Sequence, residues 1–105
     1  PEAKRTADLY TRLSRNTRFK DAVAAHRVDL APAEFAGALR AIDHNNGRMP
    51  MAGLGTHLRL SSLRLRGTLS RMQKVVNVDG MPTLEIDGND VVLRPELLRS
   101  QFVIE

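Results

Sequence analysis

No cysteine and no tryptophan occur in this 105-residue chain, and its aromatic residues are one tyrosine and three phenylalanines. The missing thiol excludes disulfides, thiolate zinc sites, iron–sulfur clusters and cysteine nucleophiles. It suits a reducing compartment, and cytoplasmic localisation is expected. The scarcity of aromatics leaves Leu, Val, Ile, Ala and Met to build the core, a set that fits a helical protein. No apolar run approaches the roughly 18 residues that a membrane span requires, and no basic-then-apolar leader opens the chain, so no membrane partner is expected. Also missing are a Gly-Lys-Ser/Thr phosphate loop, a Gly-x-Gly-x-x-Gly turn and a Gly-x-Ser-x-Gly elbow, and no cofactor is expected. What is present is near average: 42% hydrophobic and 27% charged residues, enough for one compact domain.

The most informative shortage is of acid in the middle of the chain. From His44 to Val78 there is no Asp or Glu, while Arg48, Arg59, Arg64, Arg66, Arg71 and Lys74 supply six positive charges. From Asp79 onward the sign reverses: Asp79, Glu85, Asp87, Asp90, Glu96 and Glu105 face only Arg94 and Arg99. The net +4 is the remainder of these blocks, of a basic lead over residues 1–30 and of residues 31–43, where Arg40 faces Glu34 and Asp43. A basic middle without acids points to an anionic partner.

Hydrophobic spacing assigns the elements. Leu9 and Leu13, then Phe19 and Val23, stand four apart and predict two short helices in residues 1–30, the second capped by Asn16 or Thr17. The chain breaks between Val28 and Pro32. Phe35, Leu39 and Ile42 predict a helix over 33–46 ended by Gly47, followed by an extended link at 48–50. Met51, Leu54 and Leu58 predict a helix over 51–58, weakened by Gly53 and Gly55 by roughly 1 kcal/mol each. Ser61 or Ser62 caps a helix over 61–77, with Leu65, Leu69, Met72 and Val76 on one narrow arc and basic residues opposite. After Asn77 the period becomes 2: Leu84 and Ile86 alternate with Glu85 and Asp87, and Gly88-Asn89 turns the chain into Val91-Val92-Leu93. Pro95 and Glu96 open a last helix anchored by Leu97, Leu98 and Phe102.

Helix, extended link, helix, tight turn, helix and hairpin is the order of a winged helix-turn-helix. The expected fold is therefore mainly α with a small β-hairpin: a helical lead at 1–30, a winged helix-turn-helix at 31–94 and a closing helix at 95–105. Arg59 stands where many such turns carry glycine. Placed in the major groove of double-stranded DNA, helix 61–77 presents Arg64, Arg66, Arg71 and Lys74 to phosphates or base edges, while Ser62 and Gly67 allow close approach. Arg48, Arg59 and Ser70 complete the expected DNA-binding set. Two other readings suit the same residues: a basic face that docks protein, and a free-standing transcription regulator that needs a dimer to reach two half-sites. Glu85, Asp87 and Asp90 on the hairpin repel phosphate, so the wing is expected to lie away from DNA or to meet a basic partner surface.

No catalytic residue and no metal ligand is expected. Glu85 and Asp87 share one strand face about 7 Å apart, but read as exposed hairpin carboxylates. His26, His44 and His57 have no second ligand at metal spacing. Asp87-Gly88-Asn89-Asp90 lacks the order and closing Glu of a calcium loop and reads as a turn.

The C-terminal third carries a resemblance. Asn77-Val78-Asp79-Gly80-x-Pro82-x-Leu84, Val91-x-Leu93 and Leu97-Leu98-x-x-Gln101-Phe102 look like the winged-helix-like C-terminal domain of PglZ proteins of phage growth limitation and BREX antiphage defence. Asn16-x-x-Phe19, Gly47-Arg48-x-Pro50 and Leu65-x-Gly67 are similar to the same region. The resemblance implies a tail domain of a larger bacterial protein with an alkaline-phosphatase-like domain upstream, whose metal ligands and nucleophile have no counterpart in these residues. It also implies defence-system partners, among them a DNA methyltransferase and ATPases. A start at Pro1 suits either removal of an initiator Met or a segment of a longer protein, and the resemblance favours the second.

Overall fold

Local punctuation decides where each element begins. The Asn16 side-chain oxygen accepts the Phe19 amide at 3.0 Å, so helix α1 (Glu2–Arg15) passes into α2 (Thr17–Ala25) across a single capping residue. Pro32 stands first in α3 (Pro32–His44), where a missing amide costs nothing, and Glu34 accepts the Ala31 amide at 3.1 Å. The helix stops at His44 instead of running to residue 46, because Asn46 (φ 62°) and Gly47 (φ 77°) both turn left-handed.

The link that follows is a strand, β1 (Arg48–Pro50). Three residues carry too little alternation to be read as a strand in sequence; pairing with a distant segment makes them one. After it come α4 (Met51–Leu58), α5 (Ser62–Val76), a single 3-10 turn at Val78–Gly80, β2 (Leu84–Asp87), β3 (Asp90–Leu93) and α6 (Pro95–Phe102). The structure, a computed structural model, describes residues 2–102; Pro1 and residues 103–105, the outer ends of the expected lead and closing helix, lie outside the described residues. Among the described residues, the fold is mainly helical, six α-helices with one three-stranded antiparallel sheet of order β1-β3-β2. Arg48 stands opposite Val92, and Ile86 opposite Val91. Gly88, at φ 63°, is the first of two loop residues between β2 and β3, the place where a tight hairpin needs a positive φ.

One hydrophobic cluster runs from Leu9 to Phe102 and draws on every helix. The few aromatics are concentrated in it. Phe19 of α2 meets Phe35 of α3 edge-on at 4.9 Å between ring centroids and Phe102 of α6 at 5.6 Å, joining three helices distant in sequence. Tyr10 of α1 is fully buried and donates its hydroxyl to Asp43 of α3 at 3.0 Å. Burial first, and the neighbouring Asp43 charge second, push the Tyr10 pKa well above its ordinary value.

The motif pieces that are distant in sequence meet here. Asn77, the residue that ends α5, clasps Leu84 as a neighbouring strand would: its side chain accepts the Leu84 amide at 2.8 Å and donates to the Leu84 carbonyl at 2.9 Å. Between them Asp79 (φ 55°) and Gly80 (φ 75°) make the left-handed bend. Gln101 of α6 closes the loop, accepting the Val78 amide at 3.4 Å and donating to the buried Thr83 hydroxyl at 2.6 Å. Asn16, besides capping α2, donates to the Phe102 carbonyl at 3.2 Å. These bonds hold α6 against the α5–β2 connection and against the α1–α2 junction.

Candidate nucleic-acid interface

Helix α5 begins where the sequence places a cap: the Ser61 hydroxyl accepts the Arg64 amide at 3.3 Å. Its buried residues are Leu65, Thr68, Leu69, Met72, Val75 and Val76. At 3.6 residues per turn these cover an arc of about 120°, wider than the four-residue arc expected, because Thr68 and Val75 also face inward. The remaining surface carries Ser62, Leu63, Arg64, Arg66, Gly67, Ser70, Arg71 and Lys74, all exposed.

The turn before α5 holds the two helices close. Gly55 of α4 is buried, and a Cβ there would stand 3.2 Å from the Leu60 carbonyl oxygen and 3.4 Å from a Leu65 methyl carbon, so glycine at this position lets α4 approach the start of α5. Its weakening of an isolated helix is offset by this packing. Arg59 takes the left-handed conformation that ends α4, with φ 58° and ψ 40°. A non-glycine residue in that conformation costs roughly 1 kcal/mol. The chain nevertheless carries a guanidinium there, exposed beside α5. Met51, Gly55, Arg59, Leu60, Leu65 and Arg66 line an open groove of about 760 Å³ between the two helices. Ser70 and Lys74 border a smaller hollow of about 350 Å³ further along α5.

The expected DNA-binding residues divide into two groups. Among the described residues, the side chains of Arg59, Arg64, Arg66 and Lys74 have no hydrogen-bond or ion-pair partner. Ser62 and Ser70 lie exposed between them. Arg71 turns towards the α2–α3 connection, 3.7 Å from the Asp29 carboxylate and donating to the Arg27 carbonyl at 3.4 Å. Arg48 is fully engaged: its guanidinium pairs with Asp87 at 2.6 Å and Asp90 at 2.8 Å. Hydrogen bonds to Asp87 first and Asp90 second raise its pKa further. Arg94 pairs with Glu85 in the same way. The three hairpin carboxylates are thus each paired, sharing two cations, Arg48 of β1 and Arg94 just after β3. The repulsion of phosphate expected from Glu85, Asp87 and Asp90 is correspondingly smaller than their sequence block implies.

One residue of this face is invisible to a charge count. Leu63 is 82% exposed, the most exposed large apolar side chain described. On the helical wheel it lies about 180° from the centre of the buried arc. The periodicity contains that signal, since Leu63 falls outside the Leu65–Leu69–Met72–Val76 series, but a leucine in a helix reads as core until its angle is measured.

Nothing in these residues points to catalysis. Among the described residues, no group of three or more His, Cys, Asp or Glu side chains lies close enough to hold a metal ion. No described helix is long and apolar enough to cross a membrane.

Fold and surface together define a small helical domain with a three-stranded sheet, in which the basic face of α5 and the turn before it form a strongly charged surface. The family is clear: residues 4–103 match the family model of the BREX system PglZ C-terminal domain, and the chain belongs to that family. Membership fits a module of phage defence. None of the curated proteins and none of the solved structures matches the chain.

Proposed function

We propose that this domain is a non-catalytic winged helix-turn-helix module that binds double-stranded DNA through α5 on behalf of a larger, cytoplasmic phage-defence protein. Several features support the architecture. The order α3, β1, α4, α5, β2, β3 and the sheet order β1-β3-β2 suit a winged helix, with the β2–β3 hairpin as the wing. The observation that carries the function is the set of four cations, Arg59, Arg64, Arg66 and Lys74, unpartnered among the described residues and set on a stretch of chain that has no acid. Such a set neutralises phosphates and releases their counterions. The strained turn at Arg59 supports the same reading, because a positive charge is kept where glycine would fold more easily. Arg71 and Arg48, already paired, contribute less.

The test is a fluorescence anisotropy titration of the chain with a labelled duplex across a range of salt. Four phosphate contacts predict that log K falls against log[salt] with a slope of about −3.6. A flat dependence, or no binding at low salt, overturns the proposal and favours docking to a protein of the defence system, such as a DNA methyltransferase or an ATPase.

A further inference from the structure

Leu63 occupies the outermost point of α5, opposite the centre of the buried arc, and is 82% exposed. It sits in the first turn of the helix, directly after the capping Ser61 and the exposed Ser62. Nothing in the fold needs it: the core is closed by Leu65, Leu69 and Met72, each at most 2% exposed. One turn further along the same line stands Gly67, where an added Cβ would meet nothing within 4 Å, and then Ser70. The surface beside Leu63 is therefore low, and the leucine projects from it.

The surroundings decide what such a side chain meets. Leucine is under-represented among the energetic anchors of protein–protein interfaces. Leu63 is instead set among Arg59, Arg64, Arg66 and Lys74, with no carboxylate on α4 or α5. In a helix laid in the major groove the N-terminal residues reach the base edges, and the feature of a base pair that an aliphatic group recognises there is the thymine 5-methyl.

We propose that Leu63 is a specificity-determining residue that contacts a thymine methyl in the major groove, while the four cations hold the backbone. The proposal rests on the DNA-binding reading above. Burying a methyl-sized apolar group is worth about 0.8 kcal/mol, or about fourfold in affinity. The experiment begins with duplexes recovered by repeated selection of a randomised pool on the 105-residue chain. Each is then synthesised with thymine and with uracil, which lacks only the methyl.

The wild-type chain should bind the uracil duplex about fourfold more weakly. The Leu63→Ala chain, altered only at an exposed position, should bind both equally while keeping the salt slope of wild type. Equal binding of the two duplexes by wild type overturns the proposal, as does thymine preference retained by Leu63→Ala or a selection that enriches no sequence. These failures leave duplex binding intact and so differ from failure of the DNA-binding reading, in which no duplex is retained at low salt.

Discussion

Two surfaces of this small domain are rich in arginine, and they use it in opposite ways. On the α4–α5 side, Arg59, Arg64 and Arg66 stand without partners among the described residues, beside Lys74, on a stretch of chain that has no acid. On the sheet side, Arg48 and Arg94 are spent on Asp87, Asp90 and Glu85. The hairpin pairs are exposed, and exposed ion pairs add little to stability, typically about 0–1 kcal/mol. Their consequence lies in the field outside the molecule: they quiet one surface and leave the cations of the other uncompensated. Charge that is available to a partner is what remains after internal pairing, and position in a sequence block does not reveal that remainder.

The contrast is broken most directly by reversing the free set. Arg64→Glu, Arg66→Glu and Lys74→Glu together should weaken duplex binding by roughly a hundredfold or more, since three contacts become repulsive. Circular dichroism should remain that of the folded chain, because all three side chains are exposed. Binding that persists in the triple variant would mean that the two surfaces do not differ as described. Asn77→Ala tests the scaffold behind the contrast. It leaves the Leu84 amide without its acceptor, while the Leu84 carbonyl keeps Gln73 at 3.1 Å. Chemical denaturation should show a loss of about 2 kcal/mol, with duplex affinity unchanged where the chain is still folded.

Smaller effects sharpen the comparison. Asp87→Asn with Asp90→Asn frees Arg48 and removes two negative charges from the hairpin. Duplex affinity should rise about threefold, with a salt slope steeper by about 1. An unchanged slope would place the hairpin away from the nucleic acid. Arg59→Gly is expected to act in two directions at once. Relief of the left-handed strain should raise Tm by a few degrees, up to about 1 kcal/mol in stability. Loss of one phosphate contact should make the salt slope shallower by about 0.9. A higher Tm with an unaltered slope would show that the Arg59 charge faces no phosphate.

Much of the architecture was legible because its signals are local. Asn16 and Ser61 among the caps offered, Pro95 at a helix start and Gly88-Asn89 as a hairpin turn are each recognised from a few neighbouring residues, whereas Pro32, read as part of a break, opens α3. The errors fall where distant segments meet. Strand β1 exists through its pairing with β3, about 40 residues later, and three residues by themselves show no period. Asn77 and Gln101 are polar residues near helix ends whose role appears only when Leu84 and Thr83 are brought to them. The candidate surface was half legible. The acid-free basic stretch named all of its cations, but pairing separated Arg48 and Arg71 from the rest.

The sequence by itself determined that α5 would be amphipathic, with one face apolar and the other basic, because a helix converts spacing into direction at a fixed angle. It also carried the residues that mark the PglZ C-terminal family. Tertiary structure alone decided which charges are cancelled. Coulomb attraction depends on distance through space, and the folding of β1 against β3 brings Arg48 to within 2.8 Å of carboxylates roughly 40 residues away. It likewise left Leu63, which helical spacing had already turned away from the buried arc, uncovered by any other described element.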